Sequence, residues 1–116
     1  MVKKRIPKKI EKEIKKYIDI IKADKIPIKK VILFGSYAKG EQRKWSDIDL
    51  CIISSKFKDS FEAMHYLSLK SNKINTIIEP HPYHPHDFVN EDPLVWEIKK
   101  TGIDITKNIN YTIKVI

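Results

Sequence analysis

Val31-Ile32-Leu33-Phe34-Gly35-Ser36-Tyr37-Ala38-Lys39-Gly40 and, a few residues on, Trp45-Ser46-Asp47-Ile48-Asp49-Leu50-Cys51-Ile52-Ile53 decide how this chain folds. Val31 to Phe34 is an unbroken apolar run, the pattern of a short strand buried on both faces. The chain must then turn abruptly. Gly35 lacks a Cβ, so it can adopt a positive φ and let backbone approach a ligand closely. Ser36 offers an N–H and a hydroxyl where a short helix can begin, a place suited to phosphate oxygens.

Asp47 and Asp49 are two apart, so period-two alternation puts both carboxylates on one face of a strand and Ile48, Leu50 and Ile52 on the other. Side by side they repel by roughly 4 kcal/mol at a separation of about 4 Å and an effective dielectric near 20. Protonation of one group or a cation between them relieves this. A hard, oxygen-loving ion such as Mg²⁺ is the natural occupant when a nucleotide polyphosphate completes its shell. A tight turn or an Asp-x-Asp strand alone is commonplace, but the two together at this spacing are not.

These residues closely resemble the signature of the minimal nucleotidyltransferases (MNT) of the polymerase-beta-like superfamily. The likeness is strongest over Val31 to Ile53, continues more weakly through Ile74 to Pro82 and Asp92 to Ile105, and leaves out both ends. It implies that Gly35 and Ser36 hold the triphosphate of ATP, and that Asp47, Asp49 and a third strand carboxylate bind Mg²⁺ and carry transfer of AMP to a hydroxyl. It also implies an antitoxin role, in which the acceptor is a tyrosine of a partner toxin with a HEPN domain. The third acid is expected at Glu79, in Ile78-Glu79-Pro80; Asn75 shares its strand face but carries no charge. Two rival readings are a non-catalytic antitoxin that neutralises its partner by docking, and an RNA-end nucleotidyltransferase served by a basic first helix.

At 116 residues the chain is expected to be a single nucleotidyltransferase domain over 1–116, too short to add a separate substrate-recognition domain. Residues 1–30 hold 12 Lys or Arg and 4 Asp or Glu, whereas 31–116 hold 11 of each, so all of the net charge of +8 lies at one end. Aromatics for base stacking are nearly absent there, so a solvated lysine-rich helix face is expected and specific nucleic-acid binding is not. The lone Cys51 reads as a small buried hydrophobe. No apolar run is long enough to span a membrane and no secretion signal is evident, which points to the cytoplasm. The sequence is compatible with assembly into oligomers.

A first helix is expected over Pro7 to Lys22, with Ile6, Ile10, Ile14, Ile18 and Ile21 on one stripe. Ser60 is a cap for a second helix that turns Phe61, Met64 and Leu67 or His65 to the sheet. Ile74 to Glu79 reads as a third strand stopped by Pro80. Asp92-Pro93 opens a further helix, closed near Thr101-Gly102, that buries Leu94, Val95 and Ile98. Ile103 to Ile105 and Tyr111 to Ile116 read as short strands. The fold class is α+β, a mixed sheet with helices packed on one face and the carboxylates on the other.

His81, His84 and His86 fall in a proline-stiffened segment with no metal-ligand spacing, expected to be a rigid surface loop, although His81 could line the nucleotide pocket. Lys39, Arg43 and Lys44 could neutralise the triphosphate or stay solvated; Lys39, nearest the turn, is taken with Gly35 and Ser36 as the nucleotide-binding set. Trp45 is expected to anchor its loop to the core rather than stack on a base.

Overall fold

The computed structural model describes residues 6–107. Helix α1, Lys8–Ala23, begins after Pro7 and buries Ile10, Ile14, Ile18 and Ile21 as the stripe requires. It also buries Tyr17, which an isoleucine count passes over; its hydroxyl donates to the Leu67 carbonyl at 2.7 Å, so a polar tip enters the core satisfied. Strand β1, Lys30–Phe34, runs into Gly35 and the one-turn helix α2, Ser36–Lys39. Strand β2, Ile48–Ile53, lies antiparallel to β1, with Phe34 opposite Asp49. Helix α3, Ser60–Ser71, carries the chain over to β3, Ile78–Tyr83, which pairs parallel to β2. After helix α4, Pro93–Thr101, the two-residue β4, Ile103–Asp104, joins β1 antiparallel. The strand order is β3-β2-β1-β4, a mixed sheet in an α+β fold.

Helices α1 and α3 cover one sheet face, where Val31, Leu33, Ile48, Leu50 and Ile52 meet Ile14, Ile18 and Leu67. The expectation of helices on one face holds for these two. Helix α4 lies over the other face, where Ile98 packs on Ile32, Phe34, Cys51 and Ile53. That second layer buries the Cys51 thiol, pushing its pKa up to about 12 and leaving it inert. Gly102 ends α4 where a Cβ would strike the Ile98 carbonyl and Ile32, so its role is close approach to β1 rather than a left-handed turn.

The third strand differs from its expected span. Residues 74–77 are spent on the turn after α3, with the Ile74 N–H donating to the Ser71 carbonyl at 3.0 Å, and the strand begins at Ile78 and passes through Pro80 and Pro82. The Ile48 N–H donates to the Ile77 carbonyl at 2.9 Å and the Ser54 N–H to the Tyr83 carbonyl at 3.0 Å. Odd-numbered residues of β3 therefore turn their peptide groups to β2, and the nitrogens of Pro80 and Pro82 face the open edge, where no N–H is needed. His81 is consequently a strand residue, not part of a surface loop.

Helix α3 also differs: Asp59, not Ser60, is the cap, accepting from the Phe61 and Glu62 N–H groups at 2.9 and 3.0 Å. Its buried face is Ala63 and Leu67, while Phe61 is 84% exposed and Met64 is on the rim. Asp92 caps α4 as expected, with Pro93 in its first turn. The strand expected over Tyr111 to Ile116 lies outside the described residues.

Candidate active site

Gly35 has φ +75°, and a Cβ added there would overlap the Asp49 carboxylate. The turn expected to hold phosphate and the strand expected to hold the acids therefore meet at one point. Asp49 sits on β2 directly across from Glu79 on β3 and Phe34 on β1, so the three side chains share the sheet face that α4 partly covers. Asp47 is the residue before β2, and the Glu79 carboxyl hydrogen-bonds to it. That bond is the first reason the Glu79 pKa lies above the ordinary carboxylate range; desolvation and the charges of Asp49 and Asp47 add to it, and His81 opposes it. The neighbouring acids thus favour a proton on Glu79 more than an isolated carboxylate would. An ion of double positive charge would replace that proton, which is the sense in which this donor set fits a divalent metal.

Glu79 stands beside Asp49, whereas Asn75 lies in the turn before β3, outside the paired strand. His81 is placed next to them: its Nε2 is 3.7 Å from Asp49 Oδ1, and its ring meets Phe34 edge-on with centroids 4.9 Å apart. One ligand atom from each of Asp49, Glu79 and His81 lies within 4.8 Å of the others. Asp49 and Glu79 are expected here from the sequence, with His81 as a lining of the nucleotide pocket; the register of β3 against β2 is what brings the three together.

Lys39 ends α2 and reaches Glu97 of α4 at 3.6 Å, an exposed pair that ties the turn to the covering helix. The Arg43 N–H donates to Ser46 Oγ at 2.7 Å and shapes the loop ahead of Asp47. Trp45 is 77% exposed, so it does not anchor that loop to the core. It rims a cleft of about 400 Å³ with Lys9, Tyr37, Lys44, Ser46 and Asn75, beside Asp47. A second groove of similar size is formed by Phe61, Met64, Pro82 and Tyr83 and reaches His81. The His84 and His86 rings meet edge-on off the end of β3, with His84 Nδ1 accepting from the His86 N–H at 3.1 Å, and take no part in the acid cluster. No helix among the described residues is long and apolar enough to cross a membrane.

The nucleotidyltransferase domain family matches residues 8–109, and the chain belongs to it. Two proteins of Methanocaldococcus jannaschii, whose names propose that they are protein adenylyltransferases, are 32% identical over 83 residues and 48% identical over 44 residues. The first match covers 66% of this chain and 82% of that protein; the second covers 37% and 44%. A crystal structure of a Sulfolobus solfataricus protein proposed to be a nucleotidyltransferase superposes with a TM-score of 0.61 at 22% identity, covering 90% of this chain and 88% of its own. A crystal structure of a toxin-antitoxin with AMP-PNP gives 0.52 at 21%, covering 78% and 71%. At such identities these two establish the shared fold.

Proposed function

We propose that this chain, acting as one domain in the cytoplasm, is a Mg²⁺-dependent protein adenylyltransferase that moves AMP from ATP to a tyrosine hydroxyl of a HEPN-domain toxin and so serves as its antitoxin. The observation that carries the reading is the meeting of Gly35 with Asp49, beside Asp47 and Glu79. The names of the M. jannaschii relatives and the toxin-antitoxin fold neighbour support the acceptor class.

In this reading Ser36 donates its N–H and hydroxyl to the phosphates at the start of α2, where helical N–H groups have no partner within the helix. Gly35 leaves room for Asp49 to reach the same place. Asp47, Asp49 and Glu79 hold the divalent cation, which when bound offsets the charge of the triphosphate and acidifies the acceptor hydroxyl. The acceptor oxygen bonds to the α phosphorus as the bond to the β-phosphate oxygen breaks; pyrophosphate leaves, and a carboxylate of the cluster takes the hydroxyl proton. The exposed Phe61 and Met64, in a groove that reaches His81, favour a protein acceptor over a small molecule.

The deciding experiment incubates the protein with Mg²⁺, the product of the neighbouring gene and ATP labelled at the α or the γ phosphate. Label from the α position alone, recovered on a partner tyrosine, is expected. Label on RNA would move the acceptor to nucleic acid, and neutralisation of the partner without label on any molecule would establish docking without catalysis.

A further inference from the structure

We propose that His81 supplies a nitrogen ligand to the divalent cation of the acid cluster, and that this tilts the site from Mg²⁺ toward first-row transition ions such as Mn²⁺. The inference rests on the metal-dependent reading above and adds to it a ligand and a metal preference.

The imidazole is held in place from three sides. Its backbone is fixed in β3 opposite Cys51, its ring edge meets Phe34, and it faces Asp49 one step along the neighbouring strand. Its Nε2 is buried yet makes no hydrogen bond. The 3.7 Å to Asp49 Oδ1 is too long for one, and a buried polar nitrogen left unpaired costs free energy. A cation between Asp49, Glu79 and His81 removes that cost. Their ligand atoms lie within 4.8 Å of one another, wider than the about 4.2 Å across a single octahedral shell, so the side chains draw together by a fraction of an ångström to share an ion.

Ligand chemistry then sets the preference. Mg²⁺ seeks oxygen and keeps its waters, so an imidazole adds little to its affinity. Transition ions accept imidazole nitrogen alongside carboxylate oxygen, Mn²⁺ least strongly of the first-row series, so a mixed set of two oxygens and one nitrogen favours them over Mg²⁺ by a margin that is smallest for Mn²⁺.

Mn²⁺ alone, without nucleotide, is added to the full chain, and pulsed electron paramagnetic resonance reads nitrogen bonded to the metal. Histidine nitrogen coupling is expected in the wild type, changing its pattern when histidine is ¹⁵N-labelled. It should vanish in His81→Asn and persist in His84→Asn and His86→Asn. His81→Asn should weaken Mn²⁺ binding by about tenfold or more while leaving Mg²⁺ binding nearly unchanged. Mn²⁺ bound without histidine coupling, or bound equally well by His81→Asn, overturns the proposal and leaves the carboxylate reading standing. Failure of the wild type to bind either ion better than Asp49→Asn overturns both. Should His81→Asn not fold, the isotope pattern is read in His65→Asn, His84→Asn and His86→Asn, and its loss in any of these overturns the proposal.

Discussion

Gly35 is where two demands on one residue coincide: a φ of +75° and the absence of a Cβ beside Asp49. Gly35→Ala is therefore expected to cost about 1 to 3 kcal/mol of stability through backbone strain and to displace Asp49, so that nucleotide binding and transfer fall together. Urea denaturation and calorimetry check the two effects; unchanged stability would mean the turn relaxes. Glu79 carries a different consequence. Its pKa is raised in the fold, so the proton it holds contributes stability that is fully present below the ordinary glutamate range and is lost as pH rises through the raised value. The metal-free protein is expected to lose melting temperature across that window. Glu79→Gln should flatten the dependence, raise the melting temperature at pH 7 and abolish transfer, whereas Asn75→Ala should be mild. Asp49 on its strand and the glycine turn before it were readable from the sequence because strand alternation and a break after an apolar run act locally. The exposure of Trp45 was not, since no local pattern says whether an aromatic ring beside a loop finds a core to enter.

At the scale of elements, helix α4 hangs on Asp92. Its Oδ1 accepts from the Leu94 and Val95 N–H groups at 2.9 and 3.4 Å, and its Oδ2 accepts from the Tyr83 hydroxyl at 3.1 Å, tying the end of β3 to the start of α4. Asp92→Ala is expected to cost about 1 to 2 kcal/mol, and Asp92→Asn less, as chemical denaturation will measure. The cap of α4, and the limits of α1, α4 and β4 to within a residue, could be read in advance because capping residues, proline and glycine act within a few positions. Strand β3 could not. Ile74, Ile77 and Ile78 are equally apolar, and only pairing with β2 decides which of them begins the strand. Pro80 reads as a stop until its nitrogen is known to face the open edge. Ser60 and Asp59 are both good caps, and packing rather than any local signal decides that α3 buries Ala63 in place of Phe61 and Met64.

Across the whole molecule, charge and site are set apart. The basic helix α1 covers the sheet face opposite Asp49, with Lys12, Lys15 and Lys16 beside Asp19 on its outer surface. These three lysines therefore lie away from the acid cluster, although Lys9 of the same helix lines the cleft beside Asp47, and a proton or a bound cation can supply further compensation. Asp47→Asn and Asp49→Asn are consequently expected to fold as the wild type does, with equal or higher stability in the absence of metal, because each removes one of several repelling charges. Each should also lose nucleotidyl transfer. Metal makes the two effects separable in one measurement: an ion at about one hundred times its Kd stabilises a protein that binds it only when folded by about 2.7 kcal/mol. The wild type should therefore melt several degrees higher with divalent metal than without, and the Asp49→Asn variant should show no such rise while matching or exceeding the metal-free wild type. A folded Asp49→Asn protein that keeps both the metal-dependent rise and near-full transfer would remove Asp49 from the active site, and with it the reason for Gly35 to be a glycine.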